Sequence, residues 1–136
     1  MKYLSDYIDL KQVRSFEKDK RIEELTPIRK KLFFKRIYKI LDLVTNSYGV
    51  SIEDMLTTTW AHKENISYSR KICQYQIIQE NLNFFNHKYA VLTGKLFNLD
   101  HSTVIRHYND IGDLKLNSDL GKKVKEIQNH LSSSSK

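Results

Sequence analysis

A chain of 136 residues that is 40% hydrophobic has room for one domain with a real core, and no apolar run in it nears the ~20 residues that cross a bilayer. Lys and Arg number 23 against 16 Asp and Glu, a net charge of +7 that favours a polyanionic partner. The single Cys73 excludes an internal disulfide framework and fits a reducing compartment.

The excess charge is uneven. Residues 1–36 hold 11 basic and 6 acidic side chains, against 12 and 10 in the remainder. Within residues 1–25 the apolar positions are sparse (Leu4, Ile8, Val13, Phe16 and Ile22), so this stretch reads as a charged N-terminal extension or arm. A frayed helix, an oligomerisation arm and a linker all fit it. Lys2, Asp6 and Asp9 argue against a signal peptide, and a cytoplasmic location is expected.

Thr26-Pro27 predicts a helix start, with Thr as N-cap and Pro at the first helical position. This helix runs to about Ser47, burying Ile37, Ile40, Leu41, Val44 and Tyr48, and Gly49 stops it. Ser51 caps a short second helix to about Leu56. A polar loop over 57–67 contains Trp60, His62 and Lys63. A third helix is expected from about Ser69 to Leu82 and a fourth from about Lys88 to Leu96. The turn Phe97-Asn98-Leu99 then leads to Asp100, a good N-cap, with Leu99 positioned to staple onto Val104. On the helix that follows, Val104, Ile105, Tyr108 and Ile111 form the apolar face, and Ser102, Thr103, Arg106 and Asp110 the polar one. Ser118 or Asp119 caps a last helix carrying Leu120, Val124, Ile127 and Leu131, and Ser132–Lys136 reads as a disordered tail. No alternating run suggests a strand. The fold class is all-α: a five- to six-helix domain over 26–131 that contains a helix-turn-helix.

Three segments carry a family likeness. Val50-Ser51-Ile52-Glu53-Asp54-Met55-Leu56, Ser69-Arg70-Lys71-Ile72-Cys73-Gln74-Tyr75 and Asp100-His101-Ser102-Thr103-Val104-Ile105 follow one another in the order, and with about the spacing, of similar segments in the C-terminal DNA-binding domain of the bacterial replication initiator DnaA. The chain resembles that domain over about residues 28 to 131. The resemblance implies double-stranded DNA as partner, a recognition helix entering the major groove from Asp100, and a role in replication initiation or transcription regulation. The chain departs from the family at Leu99, where an Arg is usual, and in the loop over 57–65. That loop is longer and less basic than the initiators' minor-groove loop, with Lys63 offset by Glu64. The family's ATPase domain has no counterpart, and Gly94-Lys95-Leu96 is not a phosphate loop, so no nucleotide is expected.

As candidate DNA contacts, Asp100 suits a cytosine amino group and Thr103 a thymine methyl. Ser102 shares their face, His101 resembles a family base or phosphate contact, Arg106 lies one turn further along, and Lys63 is the loop's candidate contact. Arg70 and Lys71, at the expected start of the third helix, suit a phosphate; for Arg70 the resemblance implies that role. Arg29, Lys30 and Lys31 oppose the dipole of the first helix, an arrangement that a polyanion contact explains and that a long, well-packed helix also tolerates. Capping, packing or plain solvation is the alternative role of each. His62, His87, His101, His107 and His130 show no metal-ligand spacing, and no catalytic set is visible. Neither a cofactor, a metal nor an enzymatic activity is expected. The competing reading is a module that keeps this fold but binds a replication or transcription protein, which an exposed apolar patch around Phe97, Leu99 and Trp60 would favour.

Overall fold

In a computed structural model of the chain, residues 3–57, 64–80, 89–113 and 118–134 are described. Among them every regular element is helical. A 3-10 turn, Leu4–Asp6, precedes α1 (Lys11–Glu17), α2 (Lys20–Glu23), α3 (Pro27–Tyr48), α4 (Ile52–Thr57), α5 (Glu64–Glu80), α6 (Tyr89–Phe97), α7 (His101–Gly112) and α8 (Asp119–Ser134).

The stretch over 1–25 is packed rather than free along its described part. Leu4, Ile8, Val13, Phe16 and Ile22 are buried in the same core as Phe33, Ile37 and Leu41 of α3. Phe16 stacks on Phe33 at 5.9 Å between ring centroids. At the other end, α8 runs through Ser134, so Ser132–Ser134 extend the last helix instead of beginning a tail.

Long α3 starts and stops as its sequence dictates. Thr26 Oγ1 accepts from the Arg29 N–H at 3.3 Å, Pro27 opens the helix, and Gly49 at φ 65° closes it. The Val50 N–H then reaches back to the Thr45 carbonyl at 3.1 Å.

The centre of the molecule is α5, which packs against α3, α4, α6 and α7. Its buried side chains, Ile66, Ser69, Arg70, Ile72, Cys73, Gln74, Gln76, Ile77 and Ile78, lie on nearly every side of it, the pattern of an interior helix. It begins at Glu64, five residues before the Ser69 expected from sequence, because Ile66 and Ser69 continue the buried row of Cys73 and Ile77.

Two polar side chains tie neighbouring helix ends together. Gln12 of α1 donates through Nε2 to the carbonyls of Leu56, at 2.8 Å, and Leu96. Arg70 of α5 donates to the carbonyls of Met55, at 2.6 Å, and Phe97, at 3.3 Å. These four carbonyls belong to the last turns of α4 and α6, where no intrahelical donor exists and the helix dipole is negative. Asp19 adds a further link, accepting from Lys95 Nζ of α6 at 2.6 Å.

The α6–α7 connection is a tight turn. Asn98 adopts φ 56°, in the left-handed region, and the Leu99 N–H donates to the Gly94 carbonyl at 2.8 Å, closing α6 with a Schellman-type bond. A Cβ at Gly94 would stand 2.4 Å from the Leu99 carbonyl oxygen. Gly94→Ala is therefore expected to cost about 2 kcal/mol net, overpacking of ~3 kcal/mol outweighing the ~1 kcal/mol of helix propensity gained. Urea unfolding reads this directly, and a midpoint at or above that of the unmodified chain would show that the turn opens without penalty.

Among the described residues, no helix is long and apolar enough to cross a membrane.

Candidate nucleic-acid interface

Asp100 caps α7 as its position in the sequence predicts. Its Oδ2 accepts from the Ser102 N–H at 3.1 Å and from the Ser102 hydroxyl, and those two bonds hold its carboxyl below the usual carboxylate range. His101 Nδ1 lies 3.5 Å from Asp100 Oδ1. Behind this start, Val104 is fully buried with Ile78, and Leu99, Ala90 and Tyr108 pack against the pair. The hydrophobic staple thus seats α7 on α5 and α6.

The seat is narrower than the sequence pattern suggests. Val104 and Ile111 are buried and Tyr108 half-buried, but Ile105, placed on the apolar face by its periodicity, is 45% exposed. His101, Ser102, Arg106, Asn109 and Asp110 are exposed with it, and Thr103 is half-buried. The outward surface of α7 therefore combines hydroxyl, imidazole, guanidinium and amide groups with one branched aliphatic side chain. Ile105 joins this face against its apolar period, and Asn109 joins it beside the predicted polar residues. The signal for Asn109 was its i+3 relation to Arg106.

Beside this surface, α5 supplies a cation and a brace. Tyr75 stacks on Tyr108 at 5.0 Å, and Gln79 Nε2 donates to the Tyr108 hydroxyl at 2.7 Å. Gln74 Oε1 accepts from His107 Nδ1 at 2.8 Å. Burial, followed by the positive charges of Lys71, Arg106 and Arg70, depresses the His107 pKa to about 4. His107 is thus neutral near pH 7, with the charges of Lys71 and Arg106 both acting on it.

The other expected contacts fall elsewhere. Arg70 is drawn inward, only 7% exposed, with its guanidinium on two backbone carbonyls and 5.4 Å from the centre of the Phe97 ring. Burial lowers its pKa, and both hydrogen bonds hold the guanidinium inside the fold. Since α5 starts at Glu64, Arg70 and Lys71 also lie inside the helix, where amide groups are spent on helical bonds rather than facing an anion. Lys71 remains half-exposed on the α7 side. Lys30 and Lys31 gather against the N-terminal segment, Lys30 lining a cleft with Ser5, Arg14 and Glu17, and Lys31 one with Tyr3 and Tyr7; Arg29 is exposed in the first turn of α3. Lys63 lies outside the described residues, as do Trp60 and His62. Cys73 is fully buried, and burial pushes its thiol pKa up, which suits packing and not reactivity.

No protein-family model, curated protein or solved structure matches this chain.

Proposed function

We propose that this chain is a double-stranded DNA-binding domain of the DnaA C-terminal type, acting in replication or transcription regulation, with α7 as its major-groove reader. The observation that carries the reading is the surface of α7: an exposed donor and acceptor row (Ser102, Arg106, Asn109) flanked by Lys71 and set on a tight, capped turn. Ile105 adds an apolar group suited to thymine methyls, and half-buried Thr103 another. Phosphate binding falls to Lys71 and Arg106, in place of Arg70.

The protein-binding alternative has less support. Phe97 is buried and Leu99 half-buried, so these two residues offer no exposed apolar patch.

Selection of the full chain against random duplexes at near-physiological salt tests the reading, with an enriched motif as the expected result. Lys71→Ala should then weaken retention of all sequences alike and reduce the salt slope by about one unit. Thr103→Ala should relax preference at one position and leave the slope alone. If no duplex is retained, the DNA reading fails and the protein-partner reading replaces it.

A further inference from the structure

A second surface, away from α7, combines aromatic rings with cations. Along α3, Lys31, Phe34, Lys35 and Tyr38 recur at i, i+3, i+4 and i+7, one face of a helix. The segment before α1 lays Tyr3 and Tyr7 against that face, anchored between them by Leu4, which is buried. Tyr3 meets Phe34 at 5.6 Å between centroids and Tyr7 meets Tyr38 at 4.6 Å. Together they line a cleft of about 470 Å³ with Lys31 and Lys35 and without a carboxylate. Tyr3 is 40% exposed and Tyr7 53%, so each ring packs on α3 and still shows surface to solvent.

We propose that this cleft binds single-stranded DNA, with a base stacked on Tyr7 or Tyr3 and neighbouring phosphates on Lys31 and Lys35. Two ammonium groups in a lining with no acid select a polyanion. The rings select one that carries flat apolar faces. Bases inside a duplex bury those faces against each other, whereas an unpaired strand offers them freely. Nothing in the lining requires a 2′-hydroxyl, so a deoxyribose strand suffices. The cleft is built from the N-terminal segment and α3, which packs on α4, α5 and α8. The proposal therefore stands independently of duplex recognition by α7.

Fluorescence anisotropy of fluorescein-labelled oligo(dT) with the full chain tests it. Tyr7→Ala should weaken binding about 5- to 150-fold, the loss of one base stack, and Tyr7→Phe should preserve it. Lys35→Ala changes an exposed side chain; it should weaken binding and lower the salt slope by about 0.7, the value for one single-strand phosphate. Arg106→Ala should leave oligo(dT) binding unchanged, and Tyr7→Ala should leave duplex binding unchanged. The proposal is overturned if the full chain does not bind oligo(dT), or if it binds equally after Tyr7→Ala and Lys35→Ala. Oligo(rU) bound far more tightly than oligo(dT) would overturn the assignment to DNA.

Discussion

A chain shortened to residues 26–136 is expected to lose its cooperative unfolding transition. The shortening removes Leu4, Ile8, Val13, Phe16 and Ile22 from the core. At ~1.5–3 kcal/mol for each buried side chain, that is about 10 kcal/mol, comparable with the whole ~5–15 kcal/mol that keeps a domain folded. The same cut strips Gln12 from the carbonyls of Leu56 and Leu96 and Asp19 from Lys95. It also uncovers Phe33 and Phe34, both buried in the full chain. Circular dichroism in a urea titration should give a sloping, non-cooperative curve for the short chain and a sigmoid for the full one. A sigmoid within ~1 kcal/mol of the full chain would mean that residues 1–25 are an appendage whose packing adds little.

Arg70→Ala is expected to destabilise the fold by about 3 kcal/mol, because each of the two carbonyls it serves loses a charge-assisted partner inside the core. Arg70→Lys should recover part of this: it restores a cation near the helix ends but lacks the planar fork that reaches two acceptors at once. Duplex binding by folded Arg70→Lys should match the unmodified chain, since the guanidinium faces inward. The role implied by the DnaA resemblance, a phosphate contact, predicts the opposite pattern: full stability for Arg70→Ala and weakened binding. Thermal melting and duplex titration of both variants separate the two.

What was legible in the sequence was whatever the local chemistry of the chain decides. Thr26-Pro27 and Gly49 bounded α3, and Asp100 with Leu99 and Val104 defined the start of α7, because capping and stapling act within a few residues. Positions decided by distant parts of the chain were not legible. Arg70 looks like a surface cation until the ends of α4 and α6 converge on it. Ile105 follows the apolar period of α7, yet the contact made by Val104, Tyr108 and Ile111 is too narrow to cover it. The early start of α5 was hidden because Glu64 and Asn65 are polar and the row from Ile66 becomes apolar only when Ser69 is known to be buried. Residues 3–25 escaped for a related reason: their apolar side chains are divided among three short elements and the connection that holds Ile8, so no single helical period runs through them.

The convergence of Gln12 and Arg70 on the ends of α4 and α6 ties the start of α7 to parts of the chain far from it in sequence. Since Gln12 and Arg70 pin the last turn of α4 to that of α6, the turn into α7 starts from a point held by α1, α4 and α5 as well as by α6.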